Sequence, residues 1–166
     1  MEHIQSSQHE QARVGVEEVP SLFVSLLDKH SYWKLLRVTS FIRRFLHNCR
    51  TKEKMSGPLT TEEIETAEKV RMRCAQTACH RMKSFDLRVG EDNLLRLHGR
   101  VAGYHPIFIP RSHKLAELIT MHYHVSTFQG GVQAIMSKVR TKFWIPQMRQ
   151  LAKSVSYHCN LCKKIR

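Results

Sequence analysis

The feature that most constrains this chain is a Cys-x2-Cys pair, Cys159 and Cys162, close to its C-terminal end. Two histidines, His122 and His124, lie about 35 residues upstream, and an amphipathic stretch separates them from the cysteines. Thiolate sulfur and imidazole nitrogen form the soft, tetrahedral ligand set that Zn²⁺ prefers. A redox dithiol normally opens a helix that follows a strand, whereas these cysteines close a predicted helix. The spacing therefore predicts a structural zinc ion that ties the end of a helical bundle to its beginning.

Three short helices are predicted around these ligands. Ser112 is expected to cap the first, Gly130-Gly131 to open the second, and Pro146 to lie in the first turn of the third. Apolar faces at the helical period comprise Leu115, Leu118, Ile119 and His122 in the first helix, Val132, Ile135, Met136, Val139 and Phe143 in the second, and Met148, Leu151, Ala152 and Val155 in the third. Such a bundle has a small core, and a bound metal is a common way to stabilise one.

The upstream residues predict two helices and a β-hairpin. One helix is expected over residues 31–50, and the capping box Thr60-Thr61-Glu62-Glu63 opens a second that runs to Phe85. Residues 94–101 and 105–110 are typical of two short strands joined by a Gly-containing turn. We expect a disordered tail over residues 1–20 and a short helix over 21–29. The predicted fold is mainly α with a small β-hairpin: a helical region (21–88), then the hairpin with a three-helix, zinc-binding-type bundle (89–166).

Composition indicates the compartment. No apolar run approaches the roughly 20 residues that a membrane helix needs. The first residues also lack the basic and then apolar pattern of a secretory signal. Five cysteines, an odd number, argue against a disulfide framework and for a reducing environment. We therefore expect an intracellular protein of the nucleus or cytoplasm, with no membrane partner.

Positive charge is concentrated in the C-terminal third. The formal net charge is +13; residues 111–166 carry ten Lys and Arg against one acidic residue, whereas residues 1–110 carry seventeen against thirteen. Such a segment favours a polyanionic partner, with nucleic acid, and DNA in particular, as the first candidate. The predicted contact residues are Lys138, Arg140, Lys142, Arg149, Lys153, Lys163 and Lys164. The alternative is a generally basic, soluble surface.

A series of motifs carries a family resemblance through its order and spacing. They are Trp33-Lys34-Leu35-Leu36-Arg37-Val38, Gly57-Pro58-Leu59-Thr60, Leu95-Arg96-Leu97-His98-Gly99-Arg100, His105-Pro106-Ile107-Phe108-Ile109-Pro110, Phe143-Trp144-Ile145-Pro146 and the terminal cysteines. Over residues 31–166, about four fifths of the chain, this order resembles the integrase region of BEL/Pao-type LTR retrotransposons. The resemblance implies a connector between RNase H and integrase in the first half and the HHCC zinc-binding module of integrase in the second.

One position departs from the HHCC pattern. The family has a histidine, four further residues and a second histidine before a small-Gly pair; the first falls on His124 and the second on Gln129. The fourth zinc ligand therefore stays open. His122 is one choice, although residues two apart on a helix point in nearly opposite directions. Water or His158 is another, and a fold that has lost zinc and persists through its apolar core is a third.

Catalysis by these residues is not expected. Integrase chemistry uses two metal ions held by carboxylates, and Glu117 is the one acidic residue after position 111. The resemblance implies that the catalytic core is a separate domain. It further implies a non-catalytic integrase fragment that binds zinc and DNA and supports integrase assembly. The expected protein partner is a second copy of the chain or the integrase core, and no small-molecule substrate is expected. The alternative is a protein-interaction module using helices 31–50 and 60–85, or a degenerate retroelement relic without DNA binding.

Overall fold

The computed structural model describes residues 30–77, 85–99 and 103–165 of the chain. Within these ranges the chain forms six α-helices and one small four-stranded sheet. This confirms the predicted mainly α fold with a small β element. The tail predicted at residues 1–20 and the helix predicted at 21–29 lie outside the described residues. The proposed division between residues 88 and 89 stays a prediction.

Helices α1 (Tyr32–Arg50) and α2 (Thr61–Thr77) pack against each other. The predicted capping box opens α2, because the Glu63 N–H donates to Thr60 Oγ1 at 3.3 Å and the Thr60 N–H donates to Glu63 Oε2 at 2.8 Å. Arg44 of α1 donates from Nε to Glu63 Oε1 at 2.7 Å, so one carboxylate both caps α2 and joins it to α1. The structure describes α2 as far as Thr77; Phe85, predicted to end this helix, instead lies in a bend just before the sheet.

The sheet consists of β1 (Leu87–Val89), β2 (Leu95–Leu97), β3 (Ile107–Phe108) and β4 (Phe143–Trp144), in that spatial order. Strands β2 and β3 are antiparallel, with Arg96 opposite Ile107, which confirms the predicted hairpin. Two strands were not predicted: β1, which pairs antiparallel with β2, and β4, which pairs parallel with β3. The sheet therefore combines three strands that precede the C-terminal helices with one strand that lies between two of those helices.

A buried glutamine fastens α2 to the sheet. Gln76 Nε2 donates to the carbonyl oxygens of Leu95 at 3.0 Å and Phe108 at 2.8 Å, and Gln76 Oε1 accepts from the Leu95 N–H at 2.9 Å. Buried backbone groups at the ends of short strands need such partners. One side chain thus closes the junction between the helical pair and the sheet.

The C-terminal helices are α3 (Lys114–Ser126), α4 (Val132–Arg140), α5 (Met148–His158) and the short α6 (Asn160–Ile165). Helix α3 contacts α4 and α5 on one side and α1 and α2 on the other. Its cap is His113, whose Nδ1 accepts from the Leu115 N–H at 3.1 Å; the prediction of Ser112 was wrong.

Two predicted helix boundaries in this region were also wrong. Helix α4 does not reach Phe143, because the chain leaves the helix after Arg140 and the Lys142 carbonyl accepts from the Ile107 N–H at 3.0 Å, which starts β4. Pro146 lies before α5 rather than in its first turn. Gln147 follows it with φ of 52°, and the helix begins at Met148.

The described residues share one hydrophobic core. It contains Leu35 and Leu36 of α1, Met72 of α2, Ile119 of α3 and Leu151 of α5, together with further residues of the same helices and the sheet. The upstream helices and the C-terminal bundle therefore stabilise each other. Within the described ranges, no helix combines the length and the apolar character that crossing a bilayer requires.

Candidate metal centre

Three potential metal ligands meet where the last turn of α3 faces the junction of α5 and α6. They are His124, Cys159 and Cys162, and their donor atoms all lie within 4.8 Å of one another. His124 Nε2 is 3.2 Å from Cys162 Sγ. His124 and Cys159 are buried and Cys162 is half-buried. Three of the four predicted metal ligands therefore lie close together, although 35 residues of chain separate His124 from Cys159. Metal binding by these residues stays a prediction.

Cys159 occupies the break between two helices. Its backbone is extended, with φ of −68° and ψ of 123°, and its carbonyl accepts from the Lys163 N–H at 3.0 Å as α6 begins. The backbone N–H of Cys162 points at the Cys159 sulfur and, with that of Leu161, lowers the pKa of this thiol below its ordinary value, although burial opposes the effect. Cys159 therefore acts as the N-cap of α6, and its thiol loses its proton more readily than an ordinary cysteine does.

Burial favours the neutral imidazole of His124, which is the form that can bind a metal ion. Burial lowers the pKa of its imidazole below the ordinary value, which favours the neutral ring. Its Nε2 faces the cysteine sulfur, while its Nδ1 is buried and has no hydrogen-bond partner among the described residues. Metal ligation requires a neutral imidazole and deprotonated thiols. Both ionisable groups are thus shifted toward the forms that bind a cation.

The donor geometry suits zinc. Zinc bonds of about 2.3 Å to sulfur and about 2.0 Å to nitrogen, at tetrahedral angles, place the two ligand atoms about 3.5 Å apart. The observed separation of 3.2 Å between His124 Nε2 and Cys162 Sγ is close to this value. Three donors of this type leave one coordination position of a tetrahedral ion open.

Of the remaining candidates for the fourth ligand, His122 and His158 are not part of this cluster, whereas Gln129 lies closer to it. The ring of His122 packs against α1, with its centroid 5.4 Å from that of Tyr32 and 6.0 Å from that of Trp33. His158 is exposed, and its Nδ1 lies 2.8 Å from the Ser154 carbonyl oxygen. Gln129 follows His124 closely, since its N–H donates to the His124 carbonyl at 3.0 Å, and its φ is 54°. Its backbone is therefore beside the cluster.

The predicted nucleic-acid contacts lie on the outside of the bundle. All seven are exposed: Lys138, Arg140, Lys142, Arg149, Lys153, Lys163 and Lys164. Arg140 and Arg149 line one groove of about 190 Å³ together with Trp144. Lys142 differs from the others, because its Nζ lies 2.7 and 2.6 Å from the two carboxylate oxygens of Glu68. No local sequence pattern predicts this ion pair, which joins residues 74 positions apart.

Residues 111–166 match the family model described as "Integrase zinc binding domain". The match covers about a third of the chain and contains all three clustered ligands. It supports an integrase-type retroelement origin for this segment, and the matched family is a zinc-binding module rather than a catalytic domain. Neither a curated protein nor a solved structure matches the chain.

Proposed function

We propose that this chain acts as a non-catalytic integrase module whose C-terminal bundle is stabilised by one zinc ion and binds DNA. The observation that carries the proposal is the convergence of His124, Cys159 and Cys162 within the segment that matches integrase zinc-binding domains. A bound Zn²⁺ supplies a structural cross-link between helices and no reaction step. The buried imidazole and the two thiols supply three ligands, and water completes the coordination.

The proposed zinc cross-link would hold the short helix α6 against the rest of the bundle. Helix α6 has only six residues and follows a break at Cys159, so its own hydrogen bonds hold it weakly. Fixing both cysteines to His124 ties α5 and α6 to the C-terminal end of α3. The zinc ion would then set the orientation of the basic residues near the C-terminal end, Lys163 and Lys164.

We propose that the exposed lysine and arginine side chains of residues 111–166 bind DNA. Lysine and arginine contacts to phosphates are largely independent of sequence and release counterions, so affinity falls as salt rises. Six of the seven predicted contacts have no ion pair with any described residue, and Lys142 is neutralised by Glu68. If all six reach phosphates, the logarithm of the binding constant should fall with a slope of about −5 against the logarithm of salt.

Assembly and lineage complete the proposal. A module that positions DNA for an integrase acts beside a catalytic core or a second copy of itself, and we propose these as its protein partners. We further propose that the lineage is of the BEL/Pao type and that residues 21–88 form the connector from RNase H. Intracellular action, in the nucleus or cytoplasm, follows from this role.

The test combines metal content with DNA binding. Zinc per chain is measured in purified protein, and fluorescence anisotropy with a labelled duplex is recorded over a series of salt concentrations. We expect about one zinc per chain, together with a steep loss of affinity with salt that becomes shallower in Arg149→Gln and Lys153→Gln. Ser154→Ala, an exposed uncharged position on the same helix, serves as the matched control.

A second candidate function rests on Gln129. An amide oxygen is a weak zinc ligand, so this residue favours a metal-free relic or protein-interaction module over a zinc-dependent DNA binder. Wild-type protein that contains no zinc and binds no duplex even at low salt would select that candidate. Duplex binding that is indifferent to salt would also contradict the phosphate-contact mechanism.

A further inference from the structure

The outward face of α1 carries large aromatic side chains where an amphipathic helix normally carries polar ones. The inward face buries Tyr32, Leu35, Leu36, Thr39 and Ser40 against the rest of the molecule. On the other side, Trp33 is 50% exposed, Phe41 is 48% exposed and Phe45 is 66% exposed. Exposing three aromatic rings on one helix is costly, so this face is suited to a ligand.

Basic residues lie between these rings. Lys34 and Arg37 are exposed and make no ion pair with any described residue, and α1 contains no acidic residue. Arg44 is different, since it is bound to Glu63 and to the carbonyls of Gly57 and Pro58. The outward face therefore combines aromatic surface with uncompensated positive charge.

The spacing along the helix restricts the ligand further. Positions 33, 37, 41 and 45 share one side of α1 and rise by about 6 Å per step of four residues. Phe41 and Phe45 are one step apart, whereas Trp33 and Phe41 are two steps apart with Arg37 between them. Stacked nucleotides along a duplex strand are about 3.4 Å apart, which is shorter than this step. Rings at these positions therefore suit the separated bases of an extended single strand better than a stacked duplex. Trp33 is also braced, because its ring meets the edge of His122 at 6.0 Å.

We propose that α1 is a binding platform for single-stranded nucleic acid. Bases stack on Trp33, Phe41 and Phe45, and the intervening phosphates contact Lys34 and Arg37. An alternation of aromatic rings and positive charges is the general arrangement by which proteins bind single strands without sequence preference. This platform lies outside residues 111–166, so it is a second site, separate from the duplex-binding surface proposed above.

The test measures binding of labelled oligo(dT) and oligo(rU) of about 12 nucleotides by anisotropy, together with quenching of tryptophan fluorescence. Phe41→Ala and Phe45→Ala should each weaken binding about five-fold or more, because each removes one stacking surface. Trp33→Phe should abolish most of the quenching while retaining a ring for stacking. His47→Ala, an exposed position with no part in the platform, is the matched control, and circular dichroism verifies that each variant keeps its helices.

Phe41→Leu separates base stacking from docking of a protein helix. Leucine retains an apolar surface but has no π face, so the proposal predicts a loss of oligonucleotide affinity similar to that of Phe41→Ala. Full affinity in Phe41→Leu would overturn the proposal in favour of an apolar protein contact.

Variants at the two proposed sites distinguish single-strand binding by α1 from duplex binding by the C-terminal bundle. Arg149→Gln should weaken duplex binding and leave oligo(dT) binding unchanged, whereas Phe45→Ala should do the reverse. If the wild type binds oligo(dT) but does not bind duplex, the result would support the platform and contradict the proposed function. Single-strand binding that falls with Arg149→Gln and is indifferent to Phe45→Ala would overturn the platform.

Discussion

Cys159 has two separable roles in this structure, and two substitutions distinguish them. Its sulfur belongs to the cluster of three candidate metal ligands, and it also accepts from backbone N–H groups in the first turn of α6. Serine is a good N-cap but a poor zinc ligand, whereas alanine can do neither. Cys159→Ser should therefore remove the metal and keep the cap, and Cys159→Ala should remove both.

The magnitudes follow from ligand linkage. At free zinc 100-fold above its dissociation constant, the wild type should gain about 2.7 kcal/mol in free energy of unfolding. For a chain of this size, that gain raises the melting temperature by roughly 5–11 °C. Cys159→Ser should lose the gain entirely. In chelator it should resemble the wild type, while Cys159→Ala should be less stable by about 1 kcal/mol because α6 loses its cap.

Denaturation in zinc and in chelator, followed by circular dichroism, measures these differences. Cys162→Ser is the companion variant, because it removes a ligand within α6 and leaves the cap at residue 159 in place. A zinc-dependent gain that persists in both serine variants would refute the ligand assignment. Equal stability of the serine and alanine variants in chelator would refute the capping role.

Three further results are expected. Gln129→His should raise zinc affinity, because it supplies a fourth ligand and histidine tolerates positive φ. Competition with a chromophoric chelator measures this affinity, with Gln129→Ala as the control. Equal affinity in the two variants would show that residue 129 does not reach the ion. Glu68→Gln should free Lys142 and steepen the salt dependence of duplex binding by about 0.9, and an unchanged slope would exclude Lys142 as a phosphate contact. The hydrogen bonds from Arg44 and from the Thr60 N–H hold the pKa of Glu63 at about 2. Its unfolded value is about 4.3, so its stabilising effect is complete above that pH and disappears as pH falls toward 2. Acid titrations of unfolding should show a smaller loss over this window in Glu63→Gln, and identical profiles would contradict the pairing.

The helices and the metal cluster were accessible to sequence reasoning because their signals are local. Apolar periodicity located α1 to α5, and the Thr60–Glu63 box placed the start of α2. The Cys-x2-Cys spacing drew attention to the two cysteines of the candidate metal site. The distinction between the two histidines needed the structure: residues two apart on α3 face different neighbours, so His122 meets the aromatic rings of α1 while His124 meets the sulfurs.

The missed features depend on contacts between distant parts of the chain. Phe143 continued the apolar period of α4, yet it pairs with Ile107 in a parallel strand, a preference that no local pattern encodes. The ion pair of Lys142 with Glu68 likewise depends on the packing of α2 against the C-terminal bundle. Short strands of two or three residues give little periodicity of their own, which explains why β1 and β4 were not predicted.

Zinc stoichiometry of the purified chain tests the central claim most directly. Protein prepared with zinc and freed of loosely bound metal should contain about one zinc per chain. Substitution by cobalt should give the absorption bands of thiolate ligation, and both signals should disappear in Cys159→Ser. Wild-type protein that holds no zinc, or that holds it equally well after Cys159 and Cys162 are both replaced by serine, would contradict the account.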